Sequence, residues 1–191
     1  MGFVTQEGYT AFPLYTPFEA TSFANGDPVN FSDPFGLAAD TLELQTHEVT
    51  LGRHHASIRI TPKDQRAWAG GSRFKSGATG RVSATLGAGP AGFCWVSACL
   101  VSAFNRPRDA EAHVGSTGIG IGDQDENSVI ASLLAADQAY GDNLVYQFFP
   151  SRPVGGYNSN SYVSGLLRKV GLKVAPPAVP LPGWEKPIPI P

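Results

Sequence analysis

Gly156-Tyr157-Asn158-Ser159-Asn160-Ser161-Tyr162-Val163-Ser164-Gly165-Leu166-Leu167 is the stretch on which the reading of this 191-residue chain turns. Small polar residues open it and an apolar ladder follows. Asn158 or a neighbour can cap a helix, and Tyr162, Val163, Leu166 and Leu167 recur at the spacing of one helical face. Ser159 is therefore expected at a helix N-terminus, where free backbone N–H groups and the positive end of the helix dipole stabilise negative charge. A nucleophile beside such donors is placed for acyl chemistry. Taken alone, the same run is an ordinary turn and helix cap, so its weight depends on a base elsewhere in the chain.

The chain offers four histidines, His47, His54, His55 and His113. In the run His54-His55-Ala56-Ser57-Ile58-Arg59-Ile60 apolar and polar residues alternate as in a half-buried strand, which Thr61-Pro62 ends. Neighbouring strand residues point to opposite faces, so at most one of His54 and His55 meets Ser159. Parity does not choose between them, because Ala56, Ile58 and Ile60 share the face of His54. His47 reads as an exposed strand residue, and His113 as a solvated residue of a Gly-rich loop running to Gly122.

Two motifs carry a resemblance. Asn158-Ser159-Asn160-Ser161-Tyr162-Val163 resembles the Asn-Cys-x-x-aromatic-Val helix start of the lecithin retinol acyltransferase group. His55-Ala56-Ser57-Ile58-Arg59-Ile60 resembles the His-x-x-Ile-x-Ile strand of that group and of related cell-wall peptidases. The order, histidine strand first and nucleophile helix last, is that of the circularly permuted papain-like branch. The likeness covers about a dozen of 191 residues and has Ser159 where the group has cysteine. Three explanations stay open: a natural serine nucleophile, taken first, a replaced cysteine, or a catalytically dead binding descendant. The resemblance implies His55 as the base, and a third polar group from a neighbouring strand that orients it, with Thr85 and Asn105 as candidates. A serine hydroxyl is far less acidic than a thiol and depends more heavily on its histidine.

At 191 residues one well-packed domain with an appendage is expected. A hydrophobic content of 42% allows a core, while 16% charged residues, 22 Gly and 16 Pro predict strands and turns rather than long helices. A net charge of -2 without any basic run carries no footprint for nucleic acid. Cys94 and Cys99 have no partner pair at zinc spacing, and no metal or other cofactor is expected. They lie in one apolar run, Phe93 to Phe104, where a straight strand would point them to opposite faces, and they read as buried thiols. No signal peptide or membrane span is visible.

Ahead of the histidine strand, Leu42 to Leu51 alternates in part and predicts another strand. Asp64 to Phe74 reads as a short helix with Trp68 inward, and Arg81 to Leu86 as the next strand. Gly87-Ala88-Gly89-Pro90 lacks the lysine and following helix of a phosphate loop. It reads as a turn, with a close backbone approach near the site as the alternative. Phe93 to Phe104 is the most apolar strand and is expected at the centre. Asp123 to Tyr140 is the clearest helix, acidic at its start, with Val129, Ile130, Leu133, Leu134 and Ala136 as its buried stripe. Its Asp125, Glu126 and Asp137 serve solubility and capping more simply than a glycosidase pair. Asn143 to Pro153 is an aromatic loop, and Gly171 ends the nucleophile helix. Pro176 to Pro191 is an extended tail with Trp184 as its anchor, expected across the body or along the cleft.

Residues 1 to 25 are aromatic and Pro-punctuated, with no stable element read there. The stretch Pro28-Val29-Asn30-Phe31-Ser32-Asp33-Pro34-Phe35-Gly36-Leu37 is, as physics, a loop. It also resembles the Pro-x-x-x-x-Asp-Pro-x-Gly-Leu border of Rhs proteins, shells that carry toxin domains at their C-termini and cut themselves after the leucine. Pro28, Asp33, Pro34, Gly36 and Leu37 match, which puts the cut between Leu37 and Ala38. That family also uses an upstream Asp-Pro-x-Gly, whereas Asp27-Pro28 is followed by Asn30 where the glycine belongs, so this fragment is not expected to cut itself.

The resemblance implies that residues 1–37 end an Rhs core and residues 38–191 are a secreted toxin, delivered into a target cell by a contact-dependent or type VI-like system. Its partners would be the Rhs shell and a cognate immunity protein, with no nucleic acid. The expected fold is α+β, a small antiparallel sheet with packed helices, of permuted papain-like type. The expected activity is a Ser159–His55 acyl hydrolase of lipid esters or amides. A peptidoglycan or protein peptidase and a non-catalytic target-binding module are the alternatives.

Overall fold

The alternating runs on either side of Leu51-Gly52 pair as a hairpin, and the rest of the sheet grows from it. This computed structural model describes residues 41–77, 80–95, 97–110, 115–150, 155–174 and 178–191. Its elements are β1 (Leu42–Thr50), β2 (Arg53–Ile60), α1 (Gln65–Trp68), β3 (Lys75–Ser76), β4 (Val82–Cys94), β5 (Ser97–Phe104), α2 (Pro107–Ala110), β6 (Gly115–Gly118), α3 (Glu126–Tyr140), β7 (Leu144–Val145) and α4 (Ser159–Lys169). The border motif at Pro28, Asp33, Pro34, Gly36 and Leu37, and also His113, lie outside the described residues.

Among those residues seven strands make an antiparallel sheet in the order β6-β1-β2-β4-β5-β7, with β3 also on β4, and four helices complete an α+β fold. Paired residues share a face, so the register Leu42↔Ile60, Leu44↔Ile58 and Ile58↔Leu86 gathers one apolar surface. Ala56, Ile58, Ile60 and Leu86 are fully buried there, in one core with Ile130 and Leu133 of α3 and Tyr162, Val163 and Leu166 of α4. Each such Val, Leu or Ile side chain contributes about 1.5–3 kcal/mol by leaving water. The other face of β2 carries His55, with His47 opposite it on β1.

Helix α3 starts at Asp125, whose carboxylate accepts the Ser128 N–H at 2.8 Å, and stops at Gly141 in the left-handed conformation. Val129, Ile130, Leu133 and Ala136 are buried as the stripe requires, and Leu134 is half-buried. Asp137 has a different role from the solubility read for it: it is buried and accepts a 2.6 Å hydrogen bond from the Tyr162 hydroxyl. Tyr140 donates to the Leu100 carbonyl at 2.7 Å. Burial, reinforced by Asp137 and by Asp142, pushes the Tyr162 phenol well up, and burial with Asp142 does the same to Tyr140.

Four local readings need correction. Helix α1 is four residues long rather than spanning Asp64 to Phe74, and Trp68 is half-buried against Phe74 with its indole N–H on Asn127. Gly87-Ala88-Gly89-Pro90 is not a turn, because β4 runs straight through it to Cys94. Phe93 to Phe104 is not one strand, since the chain reverses between Cys94 and Ser97 and returns as β5. That reversal sets Cys94 and Cys99 across a hairpin with Cα atoms 4.9 Å apart, and they form a disulfide rather than remaining buried thiols.

Candidate active site

β4 pairs with β2 only from Ala84 to Leu86; beyond that it follows β5, and the first residues of β2 lose their strand neighbour on that side. An unpaired strand edge leaves N–H and C=O groups that need partners. Asn160 supplies them: the Ala56 N–H donates to its Oδ1 at 2.8 Å, and its Nδ2 donates to the His54 carbonyl at 3.0 Å. The His54 N–H reaches the Pro180 carbonyl of the C-terminal tail. Edge hydrogen bonds of a strand lie in the sheet plane, so the first turn of α4 enters level with the sheet, beside His55.

Ser159 opens α4 with both neighbours spoken for. Asn158 caps the helix, its Oδ1 accepting the Ser161 N–H at 3.1 Å and its carbonyl the Tyr162 N–H at 3.0 Å. The Pro182 carbonyl accepts from Asn158 Nδ2 at 2.8 Å and from Asn160 Nδ2 at 3.0 Å. The Ser161 hydroxyl donates to the Gly183 carbonyl, and Gly183 itself has φ 86 with no room for a Cβ beside Asn158. The tail therefore wraps the helix start, with Trp184 buried as its anchor. Among the described residues the N–H groups of Ser159 and Asn160 are the first-turn donors left without a partner.

His55 Nε2 lies 2.7 Å from Asp109 Oδ1, and the Asp109 side chain is 0% exposed. With Nε2 held by a carboxylate, Nδ1 is the ring nitrogen available to another partner. Asp109 follows Arg106 through a tight turn closed by its N–H on the Arg106 carbonyl. It packs over Gly87, where a Cβ would collide with its carboxylate, as one at Gly89 would with the Arg106 guanidinium. Two glycines spaced as same-face neighbours in β4 thus make room for the two charged groups.

The structure brings Ser159 and His55 to one cleft of about 270 Å³. Thr85 and Asn105, the candidates for orienting His55, are elsewhere engaged or unconnected to it. Asn105 Oδ1 accepts the Thr85 N–H and its Nδ2 donates to the Arg73 carbonyl, while Thr85 Oγ1 is buried without a partner among the described residues. The residue that does reach His55 is Asp109, which is not among those candidates. Its signal was the Gly87/Gly89 alternation, which asks for something bulky above the strand. His54 lines the same cleft from the opposite face of β2, with Nδ1 buried and unpartnered among the described residues. Asp109 is what distinguishes His55 from it.

His47 is less exposed than a solvated strand residue, its ring 4.7 Å from that of His55. His47, His55 and Asp109 offer donor atoms within 4.8 Å of one another, a set that could hold a divalent cation such as zinc. Arg53, Arg106 and Arg108 also line the cleft, and no carboxylate does among the described residues. Burial pushes the Tyr146 phenol up, against the opposing pull of Arg106. No protein-family model, curated protein or solved structure matches this chain.

Proposed function

We propose that residues 38–191 are a delivered toxin domain of permuted papain-like descent that hydrolyses acyl bonds, lipid esters first, with Ser159, His55 and Asp109 as a triad. The observation that carries this reading is His55, held from behind by the buried Asp109 carboxylate, sharing a cleft with a serine at a helix N-terminus. Ser159 Oγ gives its proton to His55 Nδ1 and attacks the acyl carbon, while Asp109 stabilises the imidazolium from Nε2. The N–H groups of Ser159 and Asn160 hold the oxyanion. Collapse expels the alcohol or amine, which takes the proton from His55, and water repeats the two steps to free the acid and Ser159.

The delivery half of the proposal is supported by the border motif ending at Leu37, and it implies the Rhs shell and an immunity protein as partners. Amide hydrolysis of peptidoglycan or protein is the nearest alternative, and a non-catalytic binding module the next.

Expression in a bacterium separates these. Wild type should be toxic, and Ser159→Ala and His55→Ala should each abolish toxicity. A fluorophosphonate probe should label Ser159 and not the His55→Ala protein. Toxicity that survives Ser159→Ala removes the enzyme. Loss on His54→Ala with retention on His55→Ala moves the base to His54. Labelling that disappears in a chelator transfers the role of His47, His55 and Asp109 to a bound metal. Mass comparison of lipid extracts and cell-wall fragments from intoxicated cells distinguishes ester from amide substrates.

A further inference from the structure

Three large apolar side chains stand in solvent at two hairpin tips: Leu51 is 91% exposed between β1 and β2, while Phe93 and Trp95, 76% and 89% exposed, sit at the end of β4. β2 and β4 are antiparallel, so the start of one and the end of the other share one end of the sheet. That end also holds the cleft, which Arg53 and His54 line from β2 and Gly89 and Pro90 from β4.

Folding gives no account of these residues. Leu51 and Trp95 have φ 46 and φ 58, a left-handed conformation that is costly for bulky side chains and that tight hairpins ordinarily give to Asn or Gly. The chain keeps apolar bulk where neither burial nor turn geometry favours it. The Cys94–Cys99 disulfide ties the tip that presents Trp95. Beside the cleft, Phe149 is exposed with the Arg53 guanidinium 5.9 Å from its ring.

The electrostatics name the counterpart. The chain is net negative, yet the charged cleft-lining side chains among the described residues, His aside, are Arg53, Arg106 and Arg108. Arg106 Nη1 is buried without a hydrogen-bond partner among the described residues. A guanidinium fork with unused donors matches phosphate oxygens. Apolar projections rimming a cationic cleft match a surface whose interior is apolar and whose headgroups are anionic.

We infer that this end of the sheet docks on a bilayer of anionic phospholipid, with Leu51, Phe93 and Trp95 entering the interface and the arginines engaging headgroup phosphates. Docking presents lipid acyl esters to Ser159, and that half alone rests on the acyl-hydrolase reading.

The test is vesicle cosedimentation of the full chain carrying Ser159→Ala, so that binding is read without turnover. Phosphatidylglycerol-containing vesicles should bind about a hundredfold more tightly than pure phosphatidylcholine, and salt should weaken the difference. Leu51→Ser with Trp95→Ser should lower binding about tenfold or more, at unchanged thermal midpoint, since both side chains are solvated. Trp95 is the exposed one of three tryptophans, so a vesicle-induced blue shift should vanish in Trp95→Phe. Equal binding to both vesicle types, or none to either, overturns the inference. So does a double variant that binds vesicles normally but loses self-association on a sizing column, since the tips would then join two copies. Vesicle binding by the Ser159→Ala chain, with wild type left unlabelled by fluorophosphonate, would leave docking in place and remove the hydrolase. Labelling without vesicle binding would do the reverse.

Discussion

Replacing Asp109 by Asn keeps the side chain's shape and removes its charge. Asp109 Oδ1 lies 2.7 Å from His55 Nε2, and its side chain is fully buried. When His55 takes the Ser159 proton, imidazolium and carboxylate become an ion pair with charge centres about 4 Å apart. At an effective dielectric of about 20 their attraction is about 4 kcal/mol, which corresponds to about a thousandfold in rate. Asn adds a second penalty: its amide can donate to Nε2, which drives the ring proton onto Nδ1, where the base needs a lone pair. Asp109→Asn should therefore slow fluorophosphonate labelling of Ser159 by about a thousandfold to ten-thousandfold. Stability should not follow. Asp109 Oδ2 is buried without a partner among the described residues, and a carboxylate so placed carries a desolvation cost that Asn relieves. The calorimetric midpoint should hold or rise. Labelling at the wild-type rate in a variant that melts several degrees lower would make Asp109 a structural ion-pair member and refute the triad.

Gly87→Ala should reduce labelling at least about tenfold with the fold retained, because its Cβ would press on the Asp109 carboxylate, whereas Gly120→Ala meets nothing within 4 Å and should be silent. Closing a five-residue separation, the Cys94–Cys99 bond should contribute about 2 kcal/mol, so reductant should lower the melting midpoint by about 4–8 °C; no change would show that the hairpin holds without it. Tyr162 and Tyr140 have folded pKa values raised above the unfolded value, so their contribution is full below about pH 10 and is lost as pH rises beyond it, about tenfold in the unfolding equilibrium per pH unit for each phenol. Urea midpoints from about pH 9 to about pH 11 should fall steeply in wild type and less so in Tyr162→Phe. In a Ser159→Cys background, Asp109→Asn should cost much less labelling by iodoacetamide than it costs the serine protein, because a thiol reaches its reactive anion with less help from the base.

What was legible in the sequence was what local pattern dictates. Period-two alternation gave the strands β1 and β2 almost residue for residue, though not their pairing, and an acidic start with an apolar stripe gave α3. Asn158 announced α4 because a cap bonds within its own turn. Turn chemistry misled where tertiary neighbours overrode it: Gly87-Ala88-Gly89-Pro90 looks like a break, but its glycines answer to Asp109 and Arg106, about 20 residues downstream. The same misreading hid the disulfide, since only a reversal after Cys94 brings Cys99 across from it. Asp109 was not legible because nothing near it in the chain refers to His55, 54 positions away.

The split between β2 and β4 explains why asparagine follows Ser159. β4 leaves β2 after Leu86, so Pro90, further along, lies where β2 no longer pairs, and a strand edge tolerates its missing N–H where a sheet interior would not. With the His54 N–H taken by the Pro180 carbonyl, the vacated edge presents one further donor and one acceptor, at Ala56 and His54, and a single carboxamide is the side chain that answers both at once. Leucine would leave two buried groups unpaired, and aspartate could answer only the donor. Because those two hydrogen bonds bracket His55, the relative placement of Ser159 and His55 is set by covalent neighbours: one residue along the helix from Asn160, and one along the strand from each bonded group. The site is thus held by main chain rather than by the flexible ends of the reacting side chains, the kind of pre-positioning on which acyl transfer depends.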